Sequence, residues 1–408
     1  MIYESSISFA KKADLDDPLK KFRDKFHMPQ YNGKDMIYFS GNSLGLMPKM
    51  SNSAVSDELE IWAKTGVLGQ HNCWIDYHKH LTQSTATIVG AKPKEVVVMN
   101  ALTINLHLLM ISFYQPTPKK NKVIIEHGAF PSDQYAVESQ IRFHGYDPND
   151  ALIELRPRKG EACLRTKDII DTFNQHGDSI ATVIIGSVNY YTGQAFEIEK
   201  ITKAAHNIGA RVAIDLAHGA GNLDLDLHNW EVDFAVWCSY KYLCGGPGSP
   251  GGVFVHEKHE NWDGPRFNGW WGNKKATRFI MDSKFDPIVG AEGWQISNAP
   301  ILAMACLRSS MAIFSNVGMP EIIKKSKNLT GYLEYLIGSL SNKIKIITPK
   351  DSKQRGAQLS LVVKKNAEEV FNGLNSNHII CDWREPDVIR VAPVPLYNSF
   401  VDVYRFYE

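Results

Sequence analysis

From about residue 95 onward, short β-branched and aliphatic runs alternate with longer stretches whose apolar positions recur every three or four residues. The first pattern predicts buried strands and the second predicts amphipathic helices. Strands are expected at 95–99, 122–126, 151–155, 179–186, 211–215, 234–239 and 252–255, and helices at 103–114, 131–143, 166–175 and 198–207. Thr103 stands where an N-cap would stand, Pro131 opens its helix from the first turn, and Gly209 stops the last of the four. Upstream the signal is weaker: a short helix around 18–26, a strand at 36–39, and the turn Gly41-Asn42-Ser43-Leu44-Gly45. After residue 300 the rhythm changes. A helix-rich stretch at 301–340 is followed by short strands near 345–347 and 358–363, a helix at 367–374, and strands near 379–381 and 388–391.

Repeated strand–helix alternation predicts an α/β fold with a mainly parallel sheet covered on both faces. The seven central runs give a seven-stranded sheet in a large domain, expected over 51–300. The tail, 301–408, is expected to form a smaller α+β domain with the segment 1–50 packed against it. In such sheets ligands bind outside the carboxyl ends of the strands. Four loops end there: Asn100-Ala101-Leu102-Thr103, Phe130-Pro131-Ser132-Asp133, the segment after Asp215, and the one holding Lys241.

Composition narrows the class. The 408 residues are 44% hydrophobic and 22% charged, as in an ordinary soluble protein. A net charge of +1 gives no electrostatic case for nucleic acid or an anionic membrane. The six cysteines are scattered without a Cys-x-x-Cys pair, which argues against a zinc ribbon or a disulfide framework and fits a reducing compartment. The N-terminus lacks an apolar signal core and no apolar run approaches a membrane span, so a cytoplasmic location is expected. No His-Glu-x-x-His, Walker or Gly-x-Ser-x-Gly pattern is present, and no metal site is expected.

The candidate chemistry centres on Lys241, in Ser239-Tyr240-Lys241-Tyr242-Leu243. A lysine just after a strand is usually a solvated charge. Here apolar residues precede it, two tyrosines flank it and a glycine-rich loop follows. A lysine so placed can hold an aldehyde cofactor as a Schiff base. Asp215 closes its own strand and can either cap the next turn or pair with the ring nitrogen of such a cofactor, making the ring an electron sink. His218 either packs or stacks near that ring. Ala101-Leu102-Thr103 opens a helix, whose free N–H groups and dipole form an anion site. Phe130 is able to cover a planar ring. Gly246-Pro247-Gly248-Ser249-Pro250-Gly251 matches G-x-G-x-x-G, but it opens a strand and not a helix, so a dinucleotide is rejected and a turn to an antiparallel neighbour is expected. Arg390, on a short apolar strand before Pro393 and Pro395, suits a bidentate clamp on a carboxylate, with Arg384 nearby.

Taken together these residues resemble the kynureninase family, within the aspartate-aminotransferase-like (fold type I) enzymes that use pyridoxal 5'-phosphate. The resemblance extends through Tyr191-Thr192-Gly193-Gln194, Asp215-Leu216-Ala217-His218, Gly269-Trp270-Trp271-Gly272, Ile296-Ser297-Asn298 and Arg390-Val391-Ala392-Pro393-Val394-Pro395-Leu396-Tyr397-Asn398. It implies that Lys241 carries the cofactor. Leu102, Thr103, Pro131, Ser132, Ser187, Tyr240, Trp270 and Asn298 would surround it, Phe130 would stack on it, and Asp133, Asp215 and His218 would line its ring. Ser43, Gln70, His71, Ser297, Asn298, Arg384 and Arg390 would contact the substrate. The implied reaction is hydrolysis of L-kynurenine or its 3-hydroxy form to anthranilate or 3-hydroxyanthranilate and L-alanine, with Lys241, Asp215 and Tyr240 catalytic. A homodimer with shared sites is also implied, as is a place in tryptophan breakdown or NAD biosynthesis. Two positions depart from the family. In Gly69-Gln70-His71 either Gln70 or His71 replaces a histidine, and at Gly186-Ser187 the serine comes one position late. The rival within the fold is a cysteine desulfurase or an aminotransferase.

Overall fold

The computed structural model describes residues 2–408. Seven strands form the main sheet: β1 (Val96–Val98), β2 (Lys122–Glu126), β3 (Leu152–Leu155), β4 (Ile180–Gly186), β5 (Arg211–Asp215), β6 (Phe234–Trp237) and β7 (Gly252–Val255). Their order is β1-β7-β6-β5-β4-β2-β3. Only β7 pairs antiparallel, with β6 on one side and β1 on the other; β6, β5, β4, β2 and β3 run parallel. The expected mainly parallel seven-stranded sheet is therefore present, and the glycine-rich loop before β7 is the expected turn.

Continuous apolar runs form these strands because both faces are buried. Side chains alternate between faces, and the core divides accordingly. Val96, Val98, Ile124, Val183, Ile185, Val212 and Ile214 point into one apolar cluster. Val97, Val123, Ile125, Ile184, Ala213 and Val236 point into the other. At β7, glycine is required: a Cβ on Gly252 would lie 2.1 Å from the Trp237 ring.

A second, four-stranded antiparallel sheet orders Ile344–Ile346, Leu359–Val363, Val388–Val391 and Asp382–Arg384. Its core includes Leu333, Leu361, Ile389 and Phe400, together with Ala10, Ala13 and Phe39 from the N-terminal segment. Ile37–Tyr38 pairs parallel with Ile379–Ile380. Helix Ile301–Val317 belongs elsewhere: Met304, Leu307, Met311 and Phe314 share the cluster of the large sheet. Burial against the large sheet thus continues past residue 300, as far as Met319 and Ile322.

Two local expectations need correction. The first helix is Ile7–Leu15, where the Ser6 side chain accepts a hydrogen bond from the Phe9 N–H, whereas 20–25 forms only 3-10 turns. Its buried residues are just Ala10 and Ala13, too little apolar surface to register as a pattern. The helix expected to be capped by Thr103 begins at Leu102, with Ala101 as an uncapped N-cap residue. Among the described residues no single helix is long and apolar enough to cross a membrane.

Candidate active site

A cleft of about 150 Å³ opens at the carboxyl ends of the parallel strands, where sheets of this kind bind ligands. Glu126 ends β2, Gly186 ends β4, Asp215 ends β5, and Lys241 follows β6; all four line it. Helices Leu102–Phe113 and Pro131–Phe143 both point their N-termini there, without a side-chain cap on either. Because Thr103 is not the cap, its hydroxyl is free to meet Ser132 Oγ at 2.7 Å. Uncapped N–H groups from two helices plus two hydroxyls constitute an anion cradle.

Lys241 Nζ lies 3.1 Å from His218 Nε2. It stands 5.7 Å from the Phe130 ring centre and 5.9 Å from that of Tyr240. Burial holds His218 well below its ordinary pKa, and the charges of Lys241, Arg390 and Arg384 add to this. The imidazole is therefore neutral, and it shares a hydrogen bond with Lys241. On the opposite wall three carboxylates converge. Burial pushes Glu126 up to about 8. Burial and the charge of Asp215 push Asp133 well above the carboxylate range. Asp215 Oδ1 accepts from the Ala217 N–H at 2.5 Å. Three buried polar atoms of cleft residues have no protein partner: Glu126 Oε2, Asp133 Oδ1 and His218 Nδ1. Such atoms are costly to bury unless a ligand satisfies them.

The fold has known counterparts. Similar solved structures include a cysteine desulfurase from Thermococcus onnurineus (TM-score 0.76, 17% identity, 91% of this chain and 93% of that one). Another is a cysteine desulfurase from Escherichia coli (TM-score 0.76, 14% identity, 95% and 96%). At that identity they establish the fold, that of the fold type I pyridoxal-phosphate enzymes. Residues 322–408 match the family model described as the kynureninase C-terminal domain. A kynureninase of Myxococcus xanthus is 55% identical over 411 residues, spanning 99% of this chain and 96% of the relative. The chain belongs to the kynureninase family. Kynureninases of Koribacter versatilis (51% identical) and Christiangramia forsetii (50%) likewise span 100% of the chain and 97% of their own length. The desulfurase and aminotransferase readings are not favoured.

Within this kynureninase-family chain the sequence-derived residues fall into two groups. Leu102, Thr103, Phe130, Ser132, Asp133, Asp215, His218, Tyr240 and Lys241 share the cleft. Ser187 is fully buried behind it, its hydroxyl donating to the Asp215 carbonyl at 3.0 Å. Pro131 serves as the first helical residue and does not line the cleft. Trp270, Ser297 and Asn298 also lie outside its lining; Trp270 is 45% exposed and donates through Nε1 to the Arg278 carbonyl at 3.0 Å. Gln70 and His71 sit in a single π-helical turn, Gln70–Trp74, with His71 facing Phe279 at 6.2 Å between ring centres. Such turns are rare.

Arg390 is 1% exposed and is not free, as a clamp reading expects, but held within the protein. Its Nη1 donates to the Tyr190 carbonyl at 2.7 Å, and its Nη2 bonds Asp382. Burial lowers it to about 10, with Tyr242 and Tyr190 opposing. Arg384 Nη1 donates to Asp382 Oδ1 at 2.8 Å, and the Ser43 hydroxyl donates to Asp382 Oδ2 at 2.9 Å.

Three residues escaped sequence reasoning. Glu126 carries the same signal as Asp215, a carboxylate closing a strand, and was readable. Tyr190, whose ring meets Phe130 edge-on at 5.4 Å, precedes a motif but has no mark of its own. Asp382 is recognisable only through strand register. A separate cluster, Glu95 with His228 and His256, has metal-like spacing. Glu95 Oε1 already accepts from His228 Nδ1 at 2.9 Å and from the Glu257 N–H at 2.8 Å, which accounts for it as a structural hub.

Proposed function

We propose that the chain hydrolyses L-kynurenine, or its 3-hydroxy form, to anthranilate or 3-hydroxyanthranilate and L-alanine, with pyridoxal 5'-phosphate on Lys241. The observation that carries this reading is the convergence of Lys241, a neutral His218 and the acidic wall of Asp215, Asp133 and Glu126 on one cleft. The residues fit the cofactor. The anion cradle of Thr103, Ser132 and the two helix N-termini suits its phosphate, and the carboxyl wall, where Glu126 Oε2 and Asp133 Oδ1 lack partners, suits the polar edge of its ring.

When bound, pyridoxal phosphate supplies an aldehyde for covalent attachment and a ring that accepts electron density from the substrate Cα. The protein residues do the rest. Asp215 would favour the protonated form of the ring nitrogen by charge. Phe130 would pack against the ring. The Lys241 amine would remove the substrate Cα proton and return it. Burial raises the Tyr240 hydroxyl above its ordinary pKa, so it keeps its proton at neutral pH and serves as donor in the alanine-forming steps. Arg390, with Arg384 and Ser43, holds the α-carboxylate.

The protein is read as a homodimer with shared sites. Support comes from Trp270 and Asn298 standing outside their own chain's cleft, and from exposed apolar residues nearby such as Phe279, Ile280 and Met281. A partner subunit would bring the former to a cleft and cover the latter. Six free cysteines fit a cytoplasmic location. Residues 51–300 are read as the cofactor domain, with helix Ile301–Val317 packed on its sheet, and the rest of 301–408, with 1–50, as the smaller one.

Purified protein with added pyridoxal phosphate should show an absorbance band near the visible edge that borohydride removes, and should release fluorescent anthranilate from kynurenine. Absence of both product and band would refute the proposal. Lys241→Ala should remove the band and turnover together; retained multiple turnover would refute the role given to Lys241.

A further inference from the structure

One carboxylate gathers every residue read as gripping the substrate α-carboxylate. Asp382 and Arg390 lie directly opposite each other on neighbouring antiparallel strands. Asp382 Oδ2 takes Arg390 Nη2 and the Ser43 hydroxyl, and Oδ1 takes Arg384 Nη1. These donors come from the N-terminal segment and from two strands of the second sheet, so one side chain ties separate parts of the chain together. The Tyr190 carbonyl fixes Arg390 from the other side, and Tyr190 itself lines the cleft. Arg390 Nε has no protein partner. The guanidinium is therefore oriented at two points and still has donor capacity to offer.

Charge makes the same point. Two arginines and one aspartate leave a single positive charge in a largely buried place, where side-chain exposures are 1% for Arg390, 12% for Asp382 and 33% for Arg384. One unit is what one substrate carboxylate neutralises. Without Asp382 the two guanidiniums would repel each other, Arg390 would lose the partner that sets its fork, and the site would be matched to a doubly charged anion.

We propose that Asp382 is a positioning residue for the substrate: it orients Arg390 and trims the clamp to a single positive charge, selecting a monocarboxylate. This rests on the reading of Arg390 as the clamp, and the test separates the two. Kinetics on kynurenine, calorimetric Kd of L-alanine with the holoenzyme, and inhibition by propionate against succinate are measured for the wild type, D382N, R384Q, D382N/R384Q and R390Q.

D382N should raise KM and the alanine Kd by about tenfold or more, the scale of losing one partner of a buried charge pair, with kcat changed far less. Its inhibition should shift from propionate toward succinate. The double variant D382N/R384Q, with the net charge restored to that of the wild type, should return the preference to propionate. A disturbed fold would not produce that reversal. If D382N fails to fold, R384Q decides: with no net charge left it should weaken alanine binding, and an unchanged Kd overturns the proposal. R390Q raising KM while D382N leaves KM, Kd and the propionate preference unaltered overturns the role of Asp382 alone. R390Q leaving KM unaltered overturns the clamp and the proposal with it.

Discussion

Glu126 offers the most quantitative check on the electrostatics of the cleft. It is 4% exposed, lines the cleft beside Asp133 and Asp215, and has one oxygen without a partner. Burial lifts it from 4.5 to about 8. A group whose folded pKa is raised contributes stability that is fully present below the unfolded pKa and lost as pH rises through the folded one. The loss therefore spans pH 4.5 to 8. At about 1.36 kcal/mol per pKa unit, the loss between pH 5.5 and 8.5 is about 3 kcal/mol. Glu126→Gln cannot titrate, and its amide oxygen is still able to accept the hydrogen bond that Asn189 Nδ2 donates at 3.3 Å. Urea unfolding of the cofactor-free protein, at fixed protein concentration and at both pH values, reads the difference. The stability of E126Q relative to the wild type should increase by about 3 kcal/mol on going from pH 5.5 to pH 8.5. A relative stability that stays constant within about 0.5 kcal/mol, the scatter of an inert substitution, would show that Glu126 is ionised throughout and that the acidic wall is not desolvated. With pyridoxal phosphate bound the effect should shrink, since a cationic ring nitrogen favours the ionised carboxylate.

Other consequences are simpler to measure. Burial pushes Asp233 up, but hydrogen bonds from His206 and His259 and the charge of Lys258 outweigh it, holding the carboxyl well below its usual range. Asp233→Asn should cost about 3–5 kcal/mol at pH 7, as for any broken buried pair, and the cost should shrink as pH falls below the unfolded value of about 4; a pH-independent urea midpoint difference would contradict this. Thr103→Ala should weaken pyridoxal phosphate binding by about tenfold, one charge-assisted hydrogen bond's worth, in a spectrophotometric titration, and an unchanged affinity would place the phosphate elsewhere. Gly252→Ala drives a methyl into the Trp237 ring and should cost about 1–3 kcal/mol by overpacking, seen as a lowered melting temperature.

The large sheet was legible because its strands are buried on both faces and carry their signal in every residue. Lys122–Glu126, Arg211–Asp215 and Gly252–Val255 occur as the apolar runs indicate, as do helices Pro131–Phe143 and Ile198–Asn207. Helix Ser51–Thr65 was not legible: within one chain it fully buries only Ser51 and Glu58, only Ala54 and Val55 pack against the core, and Leu59 and Trp62 stay exposed, so its apolar stripe is too narrow to register. Of the site, residues at strand ends were readable because parallel sheets place ligands there. Arg390 was found as a buried arginine on an apolar strand, yet its engagement with Asp382 follows from which residues lie opposite across two strands, a register that no local pattern encodes.

The single antiparallel strand dictates an order of assembly. β1 touches the rest of the sheet's ladder only through β7, and the loop just before β7 bonds the loop just before the cradle helix: Gly251 N–H to the Asn100 carbonyl at 2.6 Å, and Met99 N–H to the Gly251 carbonyl at 2.9 Å. Strand 96–98 is synthesised early but has no ladder partner until residues 252–254 exist, whereas helix 102–113 shares an apolar cluster with residues of strands 122–126 and 234–237. A contact spanning that much chain forms late. The strand leading into the cradle helix is therefore fixed to the lysine strand only once residues 252–255 have inserted between the two. Chains ending at residue 250 should fail to bind pyridoxal phosphate although they contain Lys241, Asp215 and Thr103; binding by such a fragment would show that the cradle docks without β7.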